Sequence, residues 1–307
     1  MRLLFIFIDG VGLGLEQPDN PFYTTETSGI AAILGGRSLT ASAAGFCGAQ
    51  ASLCSLDATM GVPGLPQSAT GQAAIFTGLN APEYMGSHLN GFPDQKLRKL
   101  LATRGLFRQL KSSRCKVIFA NAYRPPFFDL LRRGLPGNRY SCSTLITYYG
   151  GLPFLSLNDL VAGRALFMDI TNDILQKMGF AVPLITPEEG AGRLLAISKN
   201  YDFTLFEYFL SDLAGHMADQ SEAGKVIQIL DRFIGTLAVK INFNDTILII
   251  ASDHGNLESL TSRDHTLNKV PALLVGNREL RVLLQPEMHD LTDLLPAFKK
   301  ALAWREN

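Results

Sequence analysis

Hydrophobic positions along this chain fall into short unbroken runs instead of alternating with polar ones. Leu3-Leu4-Phe5-Ile6-Phe7-Ile8 stops at Asp9, the apolar stretch over 203–210 stops at Ser211-Asp212, and Ile247-Leu248-Ile249-Ile250 stops just before Asp253-His254. Unbroken runs of this length are the pattern of strands covered on both faces, as in parallel sheets. Further strands are expected over Ala51–Leu56, 116–120 and Val270–Val275. Between them, Leu97, Leu100, Leu101, Leu106, Phe107 and Leu110 recur at helical spacing and predict a helix over 96–111. Other helices are expected to open at Ser68, after the breaker Gly61-Val62-Pro63-Gly64-Leu65-Pro66, and to run over 190–198, over 223–237 and from Leu291. Residues 27–48 are small and read as a loosely packed helix with loops.

This alternation predicts an α/β fold with a mostly parallel sheet and helices on both faces. The texture changes over 125–187, where Phe127, Phe128, Tyr140, Tyr148, Tyr149 and Phe154 cluster without a long apolar run. The chain therefore divides into a core, 1–124 and 188–307, and a small inserted cap, 125–187.

Composition narrows the function classes. Lys+Arg and Asp+Glu number 28 each, so the net charge is zero, which argues against nucleic acid or an anionic membrane as the main partner. Cys47, Cys54, Cys115 and Cys142 show no C-x-x-C spacing and are expected to be small buried thiols of a reduced, cytoplasmic protein. The N-terminal apolar run ends at Asp9 and a Gly-rich turn, unlike a secretory leader, and no run approaches the roughly 20 residues of a membrane span. The oligomeric state stays open.

The chemistry lies where the runs stop. In open α/β sheets the carboxyl ends of strands form the ligand crevice, so Asp9, Asp212 and Asp253 converge there. Gathered carboxylates repel and resist burial unless a cation sits among them. Three of the five histidines, His216, His254 and His265, fall in the same segments, which makes that cation a metal. Asp212 and His216 share a helix face at four-residue spacing. His254 precedes a Gly255-Asn256 turn, and His265 lies in a loop free to fold over the crevice. Mixed oxygen and imidazole donors suit Zn²⁺ or Mn²⁺. So many ligands exceed the needs of one catalytic ion and fit two, which at roughly 3.5–4 Å apart clamp the attacking and leaving oxygens of a displacement. Ser68, at a breaker-to-helix junction, is either a nucleophile beside an anion site or a helix N-cap, and Thr70 is the competing hydroxyl. Arg124, Arg132 and Arg133, with Arg139 beyond, are candidates to grip a second phosphate or a carboxylate, or else are solvated surface. His88 and His289 are read as structural.

These residues resemble the alkaline phosphatase superfamily, in particular the branch of cofactor-independent phosphoglycerate mutase and phosphopentomutase. The resemblance rests on Asp9-Gly10-Val11-Gly12-Leu13-Gly14 with Pro18-Asp19, on Ser68-Ala69-Thr70-Gly71-Gln72, and on Asp212-Leu213-Ala214-Gly215-His216. Asp253-His254-Gly255-Asn256 and Asp264-His265-Thr266 followed by Val270-Pro271 complete it, so that it covers the core on both sides of the insertion. It implies one ion held by Asp9, Ser68, Asp253 and His254, and another held by Asp212, His216 and His265. It also implies catalysis through a phosphorylated hydroxyl, with the motif spacing favouring Ser68. Gln72 stands where the mutases carry His, and the insertion is much shorter than their phosphosugar-gripping domains. The expectation is a phosphatase acting on a small phosphate monoester, with a phosphomutase or a catalytically silent metal-binding relative as alternatives. No cysteine begins the C-x-P-x-R motif of sulfatases.

Overall fold

The structure is a computed structural model and describes residues 1–137 and 139–305. Its strands are β1 (Arg2–Ile8), β2 (Ala51–Leu56), β3 (Val117–Phe119), β4 (Ala122–Tyr123), β5 (Leu155–Ser156), β6 (Phe203–Tyr208), β7 (Thr246–Ala251) and β8 (Val270–Val275). Six of them form one sheet in the order β2-β8-β7-β1-β6-β3, and β4 pairs with β5 in a separate ribbon. β1 runs parallel to β6, with Leu3 opposite Phe203 and Ile8 opposite Tyr208, and parallel to β7, with Arg2 opposite Thr246. β3 is parallel to β6, while β8 is reversed against both β7 and β2.

The apolar runs are unbroken because each strand is covered twice. Leu3, Phe5, Phe7, Leu205 and Ile249 face a core shared with Ile75, Phe107 and Phe298. Leu4, Ile6, Phe206 and Leu248 face the opposite core, shared with Ile30, Leu194 and Phe233. The period-2 alternation thus survives as a choice of core, with no polar face.

Some boundaries differ from the sequence reading. The run expected as one strand through Leu210 ends at Tyr208, and a helix, Leu210–Met217, begins two residues later, so Asp212 sits in that helix's first turn. Phe209 and Leu210 stay apolar while the backbone changes state, and hydropathy does not register the switch. The helix expected over 96–111 is two, Gln95–Arg104 and Leu106–Ser112, separated where Gly105 takes an extended backbone. Within 27–48 the helix Ser28–Ile33 is anchored by buried Asp231, whose carboxylate accepts from the amides of Gly29 (3.0 Å) and Ile30 (2.6 Å).

The segment 125–187 has two kinds of packing. The helix Cys142–Tyr149 sends Leu145 and Ile146 into the same core as the sheet, against the helices Ser68–Thr77, Gln95–Arg104 and Leu106–Ser112. Leu160, Phe167, Leu175 and Val182 pack with Ala122 in a small separate cluster, while Leu166, Ile170 and Ile185 join the core on the other side of the sheet. No helix among the described residues is long and apolar enough to cross a membrane.

Candidate metal centre

The parallel register of β1, β6 and β7 brings their carboxyl ends side by side. The Asp9 amide donates to the Tyr208 carbonyl at 2.9 Å. Gly10 then turns the chain at φ +70°, and a Cβ there would lie 2.6 Å from Asp212 Oδ1. Only glycine combines that backbone state with so close an approach. The Ser211 hydroxyl donates to the Asp9 carbonyl at 2.5 Å, locking the helix Leu210–Met217 to the end of β1. On that helix Asp212 Oδ2 and His216 Nε2 lie 3.3 Å apart.

The loop after β7 supplies fully buried Asp253 and His254. His254 Nε2 is 3.2 Å from Asp9 Oδ1 and 3.6 Å from Asp253 Oδ2, and its Nδ1 is 4.0 Å from Asp212 Oδ1. The His265 ring stacks on that of His254 at 3.7 Å, with Nε2 3.6 Å from Asp212 Oδ1 and 3.3 Å from His216 Nε2. The Nδ1 atoms of His265 and His216 face the carbonyls of Pro66 (2.8 Å) and Arg263 (2.6 Å). Such second contacts aim the Nε2 atoms of both rings at the carboxylates.

Ser68 joins this cluster and Thr70 does not. The N-cap of the helix Ser68–Thr77 is Gln67, and the Ser68 hydroxyl hydrogen-bonds His254 Nε2 at 2.9 Å without capping any amide. Buried Thr70 donates to the Gln67 carbonyl (3.2 Å) and accepts from the Leu89 amide (3.2 Å). Gly71 lets this helix sit on the β7 loop, since a Cβ there would lie 2.7 Å from the Asp253 carbonyl oxygen. Gly71→Ala is therefore expected to cost about 1–3 kcal/mol of stability and to lower turnover by displacing Ser68, as measured by denaturant unfolding and steady-state kinetics.

Two sets of donor atoms lie mutually within 4.8 Å: Asp212 with His216 and His265, and Asp9 with Asp212 and His254. Asp212 therefore reaches both, where the sequence reading gave it to one ion. Asp9 Oδ1 and Asp253 Oδ2 are buried without a hydrogen-bond partner. Buried anionic oxygens without donors are costly, and a bound cation removes the cost; the oxygen and imidazole donors fit a borderline divalent ion. In the metal-free chain protons stand in for that charge. Burial, reinforced by Asp9 and Asp212, pushes the Asp253 carboxyl well above the carboxylate range. Burial works to lower His254, but Asp253, Asp9 and Asp212 together hold it up at about 10.

A chamber of about 760 Å³ opens from Asp9, Ser68, Gln72, Glu207 and Asp212. Gln72 Nε2 donates to Asp9 Oδ2 at 3.1 Å, so this departure from the mutase motif touches the centre directly. Arg124 and Arg139 line the chamber, whereas exposed Arg132, paired with Asp129, and Arg133 lie outside its lining. His88 hydrogen-bonds the Val62 carbonyl at 3.1 Å.

The sequence reading missed two acids. Glu258 is buried and accepts from the amides of Gly12 and Asn256 (both 2.8 Å) and from Thr266 Oγ1, tying three loops of the centre together. Glu207 is buried one residue before the carboxyl end of β6 and accepts from Ser143 Oγ at 2.6 Å. A lone acid inside an apolar run was the available signal, since burying one without a partner is so costly. Burial raises Glu207 from 4.5 to about 7; the Ser143 bond opposes this and Asp9 adds to it. The folded state thus holds a proton that the unfolded chain has released, so stability is full below pH 4.5, falls as pH rises to 7, and levels off above. The loss is about 3 kcal/mol. Glu207→Gln is expected to remove that part of the slope in melting scans of the metal-free protein.

Residues 185–295, which carry Asp212, His216, Asp253, His254 and His265, match the family described as the Metalloenzyme superfamily. The 2,3-bisphosphoglycerate-independent phosphoglycerate mutase of Ruegeria sp. (strain TM1040) is 30% identical over 118 residues, which are 36% of this chain and 23% of that protein. The chain thus aligns with about a quarter of the length of the curated relatives it matches. Among solved structures, the PH0037 protein of Pyrococcus horikoshii superposes with a TM-score of 0.59 at 12% identity, covering 100% of this chain and 98% of that one. The Thermus thermophilus alkaline phosphatase superposes with a TM-score of 0.56 at 12% identity, covering 99% and 92%. At such identity the structures speak for the fold, and the family match speaks for the residues set in it. The chain thus has an alkaline-phosphatase-like fold, and its residues 185–295 are similar to the Metalloenzyme superfamily, with 2,3-bisphosphoglycerate-independent phosphoglycerate mutases among the similar sequences.

Proposed function

We propose that the chain is a di-metal phosphotransfer enzyme in which Ser68 attacks a small phosphate monoester, with net hydrolysis. The observation that carries this reading is the Ser68 hydroxyl, 2.9 Å from His254 Nε2 and open to the chamber that Asp9 and Asp212 also line. Asp9, Ser68, Asp253 and His254 would hold one divalent ion, and Asp212, His216 and His265 the other, with Asp212 in reach of both. When bound, the ions, Mn²⁺ or Zn²⁺, acidify the serine hydroxyl and neutralise phosphoryl charge. The amino end of the helix Ser68–Thr77 turns amides and a favourable dipole toward the phosphate. Ser68 Oγ gives up its proton and bonds to phosphorus as the ester P–O bond breaks, and the leaving alkoxide takes up a proton to depart as the alcohol. Water then cleaves the phosphoserine, releasing phosphate and restoring the hydroxyl. Segment 125–187, read as the cap, covers the leaving group.

A second reading, an intramolecular phosphomutase, is favoured by the names of the sequence relatives. It requires a cap that retains the intermediate away from water. Incubating the purified protein with Mn²⁺ or Zn²⁺, an aryl phosphate and a panel of phosphosugars separates the readings. Hydrolysis yields free phosphate, a mutase yields an isomer without it, and absence of bound metal and of turnover rejects both.

A further inference from the structure

We infer that the organic part of the substrate is bulky and apolar, so that the ester cleaved is the monophosphate of a long alkyl or aryl alcohol and not of a sugar or glycerate. This rests on the phosphotransfer reading and adds the substrate class to it. Of the candidate metal residues, only Asp9, Ser68 and Asp212 line the 760 Å³ chamber, and most of its lining is other residues. That volume lies in the range of roughly 300–1,000 Å³ that serves drug-sized ligands, and a three-carbon phosphate would leave most of it to water.

The chamber beyond the acids is apolar. Tyr123 and Phe127 stack at 4.1 Å, and Phe154 braces both at 5.0 and 4.8 Å, making a fixed aromatic wall. At the mouth, Phe92, Leu130, Met178 and Leu213 line the chamber while remaining 48%, 38%, 50% and 50% exposed. Large apolar side chains left in water around a cavity mark a binding surface.

Several polar side chains on the walls are already hydrogen-bonded within the protein. Asn121 Nδ2 donates to the Glu207 carbonyl (2.8 Å), and its Oδ1 accepts from the Glu207 amide (2.9 Å). Thr144 Oγ1 pairs with the Tyr123 hydroxyl (2.7 Å) and with Ser141 Oγ (3.0 Å). A sugar is held by hydrogen bonds that these groups have already made, and taking one leaves its old partner unpaired. Arg124 and Arg139 are exposed, with Arg124 laid against the Met178 sulfur at 3.3 Å. Their stems add apolar cover while their charges stay in water.

The test uses the metal-loaded protein and straight-chain alkyl phosphates from ethyl to octyl, whose leaving groups differ little in reactivity. Each ester is matched by its non-hydrolysable alkyl phosphonate in calorimetry. The expected result is a kcat/KM that climbs roughly three- to fourfold per methylene, with phosphonate Kd falling in parallel. Met178→Ser and Leu130→Ser, both at exposed positions, are expected to lower the octyl-to-ethyl ratio several-fold. Naphthyl phosphate against octyl phosphate then tells an aryl from an alkyl preference. Turnover independent of chain length, or faster on phosphoglycerate than on octyl phosphate, overturns the inference while leaving phosphotransfer standing. Chain-length-dependent phosphonate binding without turnover of any ester rejects phosphotransfer and keeps the apolar chamber. Neither turnover nor chain-length dependence rejects both.

Discussion

Asp212→Ala is expected to abolish binding of both ions and, with it, turnover. Asp212 Oδ2 faces His216 Nε2 at 3.3 Å, and Oδ1 faces His265 Nε2 at 3.6 Å and His254 Nδ1 at 4.0 Å. No other carboxylate belongs to both candidate donor sets among the described residues. Removing it takes one ligand from each set and leaves the imidazoles of His216 and His265 without a carboxylate partner in theirs. In the metal-free protein the same change relieves repulsion among Asp9, Asp212 and Asp253, so the variant is expected to fold at least as well as the parent. The contrast appears on adding metal. An ion that binds only the folded state stabilises it by about 2.7 kcal/mol at a hundredfold excess over Kd. The parent chain is expected to show a rise of that order in melting scans, and Asp212→Ala none. An equal metal-dependent rise in the variant would remove Asp212 from the ligand set.

Ser68→Ala has the second large effect: loss of turnover on the order of 10³- to 10⁶-fold, with metal binding weakened and the fold retained. Ser68 is half-buried and caps no helix amide, so no amide loses a partner. Thr70→Val is expected to leave turnover largely intact, since the Thr70 hydroxyl serves the Gln67 carbonyl and the Leu89 amide. Two residues along a helix rotate a side chain by roughly 200°, which places the two hydroxyls on opposite sides. Comparable losses in both variants would mean that the helix, and not one hydroxyl, is what matters.

Much of the centre was legible because the sheet is parallel and buried. An apolar run on such a strand must stop where the chain leaves the sheet; Asp9 follows its stop directly and Asp253 comes two residues after the end of β7. Asp212 was found although its run was misread, since the β6-to-helix switch at Phe209 keeps the chain apolar while turning it. Motif spacing favoured Ser68 over Thr70, and helix phase, which depends on Gln67 being the cap, puts the Ser68 hydroxyl and not that of Thr70 beside His254. Arg132 and Arg133 read as anion grips, yet which arginines line a chamber depends on tertiary packing that charge does not encode. Glu258 escaped because its partners, Gly12, Asn256 and Thr266, come together only in the folded chain. Glu207 was hidden by its own strand, with its stabilising partner Ser143 lying 64 positions away.

The most direct test is to mix the metal-loaded protein with a phosphate monoester, quench in acid during turnover, and map the phosphoryl group by peptide mass spectrometry. One phosphoryl group on Ser68, absent from Ser68→Ala and present in Thr70→Val, is the predicted result. Turnover with the label on Thr70, or with no labelled residue under conditions that trap phosphoserine, would contradict it.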